Sequence, residues 1–419
     1  MVKSQVAALL ISILTLSEIH HTDAFASHSF ISNPFPQYYD TNKKATSLLL
    51  QSTSSNNDSS TPLPSVLCIG ETLWDSLPSG IYLGGAPSNV AVHLAYLFNN
   101  SQSSTTVAVS ACLGNDQLGR EAQRRLALNG VRTDYIQYHP EWETGMATAL
   151  LDSNGDATYE FNTPGAWDGL CLDSNLTHLM QEQQEEEQQQ SINESPENGV
   201  NNPVLFVMGT IAGRLDNDHG ATSLSTLMSV RNTAPEGTVI MDINLRSPWY
   251  KDDTVLELIR GSSEDKKKLA LLKVNEEELA ILEKWCGFMD GSNADDLFGD
   301  AIKSRMEKMA TSLNTQRLCV TRGEHGAALY CNNSIEDIQS FHENPGYSLA
   351  NKNDDCDTVG AGDSFLASLI HSLFIHEEPA DKALERACAL GGYVAGCRGA
   401  TPVHEAAPDE LRKVFSITC

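Results

Sequence analysis

The sequence contains no G-x-x-x-x-G-K-[ST] segment, which disfavours a P-loop cradle for nucleotide phosphates. It has no C-x-x-C pair and no cysteine–histidine grouping at zinc spacing. Its ten cysteines are scattered singly, as suits reduced and mostly buried thiols rather than a disulfide framework or a metal site. Basic residues are scarce: 28 Lys and Arg face 55 Asp and Glu, for a formal net charge of −27. A surface built to displace counterions from a nucleic acid is excluded on that balance. The apolar run at Val6–Leu16 is eleven residues long, too short to cross a bilayer as a helix.

What is present is a globular composition, 41 % hydrophobic and 20 % charged, in 419 residues. That length holds one large α/β domain or two of ordinary size. Lys3, the Val6–Leu16 run and the small residues near Ala24 read as a signal peptide over 1–24. Residues 25–64 are rich in Ser, Thr and Asn, like an organelle transit segment. Together the two pieces resemble the two-part plastid presequence of algae with secondary plastids. Plain secretion is the alternative, and sequons at Asn57 and Asn193 are compatible with it.

From residue 65 onward the pattern is that of one folded domain, 65–419. Short apolar runs read as buried strands: Val66–Ile69, Thr106–Cys112, Val204–Met208, Val239–Ile243, Ala270–Val274 and Arg317–Val320. Most are followed by a polar cluster and a helical pattern, such as the amphipathic helix Asp116–Leu128. This alternation predicts a doubly wound, mostly parallel sheet with helices on both faces, its polar clusters on one rim. Strand-like segments near 80–86 and 144–162, including Met146–Leu151 and Thr158–Phe161, break the rhythm and predict a small separate β-sheet acting as a lid. Residues 173–202 are Gln-, Glu- and Asn-rich without Lys or Arg, and predict an acidic, solvated insertion, either irregular or a helix extended into water, with no part in a site.

Two stretches carry candidate chemistry. In D-T-V-G-A-G-D-S-F, Asp357 to Phe365, small residues let backbone N–H groups converge at the start of a helix expected over Ser364–Phe374, beside the carboxylate of Asp363. In L-G-G-A-P-S-N, Leu83 to Asn89, paired glycines lead to an amide able to donate and accept, as a sugar needs. Each is also compatible with an ordinary turn before a helix. Trp74 is the tryptophan with a claim to stack on a sugar.

Taken together, G-E-T-L-W-D, L-G-G-A-P-S-N, D-I-N-L-R-S-P-W-Y, N-E-E-E, T-R-G-E-H-G and D-T-V-G-A-G-D occur in the order of the PfkB (ribokinase-like) carbohydrate kinases. The chain resembles that family, its fructokinase-like branch above all, from about Val66 to Val403. The resemblance implies an ATP-dependent transfer of the γ-phosphate to a primary hydroxyl of a monosaccharide, fructose first. Same-fold kinases for ribose, a nucleoside or 2-keto-3-deoxygluconate, and a silent sugar- or protein-binding relative, are the alternatives. It implies Asp363 as general base and Gly360, Ala361 and Gly362 as an anion hole. Asp75, Gly85, Asn89 and Arg246 fall on the sugar side, with less defined roles for Asp242 and Asn244. Asn275, Thr321, Gly323 and Gly326 fall on the nucleotide side, and Glu278 with the metal. ATP and Mg2+ are implied, a monovalent cation such as K+ is common in the family, and a lid sheet can serve as a homodimer interface. Ser247 stands where the family motif has a proline.

Overall fold

Strands that are apolar at every position have no face to give to water, so they belong inside a sheet covered on both sides. The computed structural model of the chain bears this out. It describes residues 62–77, 80–100, 104–151, 157–192, 203–215, 220–261, 267–288, 297–333, 338–347 and 358–416. All of them belong to one compact unit, Asp58–Cys419. The expected presequence, residues 1–64, falls almost wholly outside them, as does the connection 152–156 between the expected strands Met146–Leu151 and Thr158–Phe161.

In chain order the elements are β1 (Val66–Ile69), β2 (Leu73–Leu77), β3 (Gly80–Gly84), α1 (Ala86–Asn100), β4 (Val107–Gly114), α2 (Gln117–Leu128), β5 (Arg132–His139), β6 (Gly145–Leu151) and β7 (Ala157–Phe161). Then follow α3 (Ser174–Ile192), β8 (Leu205–Gly209), α4 (Ser223–Thr233), β9 (Val239–Asp242), α5 (Asp252–Arg260), β10 (Leu271–Asn275), α6 (Glu276–Trp285) and α7 (Gly299–Ser312). The chain closes with β11 (Arg317–Thr321), β12 (Ala327–Asn333), β13 (Ile338–Asn344), α8 (Ala361–Ile370), α9 (Ala380–Ala395) and α10 (Asp409–Phe415). Nine strands form the main sheet in the order β13-β12-β11-β10-β9-β8-β1-β4-β5. From β11 to β5 every pairing is parallel, while β12 and β13 add an antiparallel edge. The expected doubly wound sheet is thus present, and so is the small sheet, in the order β3-β2-β6-β7.

The pleat of β1 sorts the core. Leu67 and Ile69 pack with side chains of α3 to α7, whereas Val66 and Cys68 pack with α1, α2, α8 and α9. Asp116 caps α2 by accepting from the Gly119 amide at 2.7 Å, and its carboxylate also holds the Thr144 amide at 2.8 Å. One residue therefore starts a helix of the main body and fixes the entry to the small sheet. Among the described residues the eight cysteines form no disulfide with one another.

Several expectations need correction. The tract after Asp173 is not a solvated insertion throughout, because α3 buries Leu176, Leu179 and Met180 in the core. Gln183, next on that face, accepts the Val204 amide at 2.7 Å. The i, i+3, i+4 spacing of those residues carries the helix and outweighs the polar composition. The helix expected at Ser364 begins at Ala361, so Asp363 lies inside its first turn. Strands β2, β5, β12 and β13 were not anticipated, since their mixed sequences owe their pairing to neighbours rather than to an apolar run.

Candidate active site

The parallel strands end on one rim, and the chain crosses there between the two sheets. A cavity of about 360 Å³ opens at that point. Its walls come from both sheets: Asp75 and Phe161 from the small one, Asp242, Lys273, Asn275 and Thr321 from the main one.

The floor is the start of α8. Gly360 caps it in a left-handed conformation (φ 78°), and a Cβ there would lie 2.4 Å from the Ala400 carbonyl oxygen. Only glycine fits, and the amides that follow are left free of intrahelical acceptors at the positive end of a helix. Asp363 lines the cavity one turn in, and its Oδ2 accepts from Asn89 Nδ2 at 2.8 Å. Burial raises its pKa to about 6; the Asn89 hydrogen bond lowers it, Asp242 raises it, and Lys273 and Arg246 lower it. Asn89 itself stands on α1, which leaves Gly85 (φ 102°) where any Cβ would strike the Glu71 carbonyl oxygen.

Beside this floor lies an ion pair that sequence reasoning did not assign. Lys273 Nζ donates to Asp242 Oδ2 at 2.7 Å, with both residues buried on the cavity wall. Burial pulls the lysine pKa down, but Asp242 at this distance more than offsets it, and the net shift is upward. Asp242 Oδ1 is buried with no donor on it. Glu71, also unassigned, sits at the end of β1 with Oε1 accepting the Ala86 amide at 3.0 Å. Burial pushes its pKa up to about 8, so it is mostly neutral near pH 7. The signal for both was a charged residue inside or at the end of an otherwise apolar strand run, in V-L-C-I-G-E and L-L-K-V-N.

The expected residues divide into those on the wall and those behind it. Asp75, Gly85, Asn89, Asn244, Arg246, Asn275, Thr321, Gly360, Gly362 and Asp363 are brought together. Glu278 is not on the wall. Its Oε2 accepts the Asn275 amide and its Oε1 the Leu245 amide, each at 2.8 Å, while Asn275 Oδ1 accepts the Glu278 amide at 2.8 Å. The N-E-E-E motif is therefore a capping box for α6 that also ties down the segment carrying Arg246. Burial and Asp242 raise the Glu278 pKa. Gly323 and Gly326 lie beyond Thr321, where they frame the short turn into β12 and do not line the cavity. Trp74 is corrected outright: it is buried, its Nε1 donates to the Leu118 carbonyl at 3.1 Å, and Arg125 stacks on it at 4.8 Å. It has no face left for a sugar. Asp357, at the loop where a monovalent cation was implied, lies outside the described residues.

Comparison with known proteins agrees with this geometry. Residues 80–212 and 220–407 match the pfkB family carbohydrate kinase. The chain is 27 % identical over 380 residues to a probable fructokinase-6, chloroplastic, of Arabidopsis thaliana, covering 84 % of each. It is 26 % identical over 348 residues to a fructokinase of Klebsiella pneumoniae, covering 80 % of this chain and 95 % of the relative. Among solved structures, a fructokinase with bound ATP from Xylella fastidiosa superposes with a TM-score of 0.59 at 18 % identity, over 84 % of this chain and 98 % of that one. A Vibrio cholerae fructokinase holding fructose, ADP and a calcium ion gives 0.57 at 20 % identity, over 84 % and 98 %. The chain belongs to the pfkB family of carbohydrate kinases, phosphotransferases with an alcohol group as acceptor.

Proposed function

We propose that this kinase transfers the γ-phosphate of ATP to a primary hydroxyl of a neutral monosaccharide, fructose foremost. The observation that carries the reading is the placement of Asp363 in the first turn of α8, above the Gly360 cap and held by Asn89 at 2.8 Å. At that point it takes the proton of the attacking hydroxyl, which contributes roughly 10² to 10⁴-fold. With a pKa near 6 it is mainly ionised at neutral pH, as a base must be. The amide of Gly362, at the positive end of the helix, is assigned to the equatorial oxygens of the transferred group, while that of Ala361, expected beside it, donates to the Thr358 carbonyl at 3.3 Å and lies off the cavity wall.

Charge on the wall favours a neutral acceptor. Asp75, Asp242 and Asp363 outnumber the cations Lys273 and Arg246, and Lys273 is already engaged by Asp242. A sugar phosphate or a sugar acid would add an anion to that set. Asp75, Gly85, Asn89 and Arg246 are assigned to the sugar, Asn275 and Thr321 to the nucleotide, with Gly323 and Gly326 shaping its edge. Fructokinase relatives of both chloroplast and bacterial description support fructose over ribose, a nucleoside or 2-keto-3-deoxygluconate.

Magnesium belongs to the same proposal. Among the described residues no group of three or more His, Cys, Asp or Glu forms a metal cage. That suits an ion held mainly by water and substrate phosphates. The unpartnered Asp242 Oδ1 fits such an ion as a hard oxygen donor, with Glu278 acting through water, while Asn275 Oδ1 already accepts the Glu278 amide. When bound, it would neutralise phosphate charge.

No helix among the described residues is long and apolar enough to cross a membrane. Plastid residence rests on the two-part presequence and on a relative named chloroplastic. A fluorescent fusion of residues 1–65 that collects outside plastids overturns it. Self-association through the small sheet is read by light scattering, with a monomeric mass against it. The reaction itself is tested by coupled ADP release across fructose, glucose, ribose, 2-keto-3-deoxygluconate, fructose 6-phosphate and adenosine. Fructose is expected to lead; a preference for an anionic sugar or adenosine refutes the assignment.

A further inference from the structure

Arg214 stands just after β8, three residues beyond Ile211, which lines the cavity. Its side chain is wholly buried and faces the wholly buried Asp168. The pairing is a fork: Nε donates to Asp168 Oδ1 at 3.1 Å and Nη2 to Oδ2 at 2.8 Å. Nη2 also donates to the Asn162 carbonyl at 2.8 Å. Asn162 follows β7 directly, and its own Oδ1 accepts the Met146 amide at 2.9 Å in β6. Asp168 further accepts from Trp167 Nε1 at 2.7 Å and from the Gly165 amide at 2.8 Å.

Three aromatic rings enclose the guanidinium: Trp167 at 4.3 Å, Trp249 at 5.1 Å and Phe161 at 5.4 Å. Phe161 meets both tryptophans edge-on and forms part of the cavity wall. Trp249 ends the turn that starts at Arg246, its amide donating to the Arg246 carbonyl at 2.7 Å. One side chain thus touches the main sheet's exit at β8, the end of the small sheet and the loop that brings Arg246 to the cavity. Each of these three segments reaches the cavity wall: through Ile211, through Phe161, and through Arg246 with Asn244.

Stability alone accounts poorly for this arrangement. A buried ion pair is often no better than apolar groups of the same volume, and here Nη1 remains buried without a partner. A planar cation fits the place because it can bind a carboxylate in two places and stack on rings at once, which lysine cannot.

We infer that Arg214 is a positioning residue for the acceptor, holding Phe161 and the Arg246 loop at a fixed distance across the sugar end of the cavity. The inference rests on the sugar-kinase reading above. Two of the assigned sugar contacts, Asp75 of the small sheet and Arg246 of the loop, lie on the two elements it joins, whereas the nucleotide-side residues Asn275 and Thr321 stand on β10 and β11, which it does not touch. Loss of the fork therefore loosens sugar binding and leaves the nucleotide end alone.

The test uses the full-length mature chain with the best acceptor of the sugar panel. Arg214→Lys keeps the charge and removes the fork and the stacking. Its KM for the sugar is expected to rise about 10- to 100-fold, the size of effect produced by misplacement near 1 Å, with the KM for ATP within about twofold. The pair Arg214→Met with Asp168→Asn removes both charges and keeps an oxygen for the donors of Trp167 and Gly165; its melting temperature is expected above that of Arg214→Met alone while the sugar KM stays raised. An unchanged sugar KM in Arg214→Lys overturns the inference, as does a parallel rise for sugar and ATP. If the double variant does not fold, the KM split in Arg214→Lys decides alone. A wild-type chain without fructose-dependent ADP release counts against the fructose reading, and the variant-to-wild-type ratio on the best acceptor still decides the role of Arg214.

Discussion

Replacing Lys273 by methionine removes the cation of the buried pair on the cavity wall and leaves Asp242 with both oxygens unpaired. In the intact protein Asp242 Oδ2 has a single partner, Lys273 at 2.7 Å, and Oδ1 has none. Truncating one partner of a buried ion pair typically costs ~3–5 kcal/mol, because an uncompensated charge stays inside. At ~2–4 °C per kcal/mol for a domain above 150 residues, the melting temperature is expected to fall by roughly 10 °C. Removing both charges, as Lys273→Met with Asp242→Leu, should recover most of that loss, since the expense lies in the orphaned carboxylate. Activity should stay low in both variants, because both lack Lys273 on the cavity wall. Lys273 also lowers the pKa of Asp363, so the acid limb of activity left in the single variant should move above pH 6. Differential scanning fluorimetry and a pH–rate profile read both effects. A single variant as stable as wild type, or a double variant no more stable than the single one, would falsify the reasoning about the pair.

Asp363→Asn is expected to lower kcat by about 10² to 10⁴-fold while sugar binding, followed by calorimetry, persists; near-normal turnover removes it as the base. In the wild type kcat should fall as pH drops through about 6, where Asp363 takes up its proton, and a rate flat down to pH 5 contradicts that role. Glu278→Ala opens the capping box and frees the Leu245 amide, so it should cost ~2–4 kcal/mol, with about 1.5–3 for each hydrogen bond to a charged group partly regained from water; chemical denaturation measures it, and a loss under ~0.5 kcal/mol speaks against the box. Burial lowers the pKa of His93 to about 4 and that of His404 further, below the unfolded value near 6.5. The unfolded chain then takes up these protons first, so their contribution to stability is full above pH 6.5 and is lost as pH falls, by up to ~1.4 kcal/mol per pH unit for each. The double variant His93→Leu and His404→Leu should show a shallower acid slope of melting temperature than the wild type, and equal slopes refute the assignment.

The motifs that identify the site were legible because each is a local device. An Asn–Glu pair that closes a helix end is fixed by residues within a few positions, and a glycine at φ 78° before a helix is a local backbone choice, although the Ala400 carbonyl that enforces it comes from far along the chain. The apolar runs of β1, β8 and β9 were legible for a similar reason, since a strand covered on both faces needs no partner to be recognised. Mixed strands such as β5 (R-T-D-Y-I-Q-Y-H) were not, because only pairing with β4 makes them strands. The segment around α3 misled through composition, where three apolar residues at helical spacing outweighed the polar ones between them.

By itself the sequence determined the parallel architecture, which depends on strand hydrophobicity, and its ordered motifs carried the resemblance to the family and, with it, most of the residues expected around the cavity. Tertiary structure alone decided which carboxylates reach the cavity. It drew Glu278 behind the wall, set Lys273 against Asp242, and turned Trp74 into the core. It also joined Arg214 to Asp168 across 46 residues and surrounded the pair with three rings. Such contacts form between segments distant in the chain, and their partners are set only when the two sheets come together.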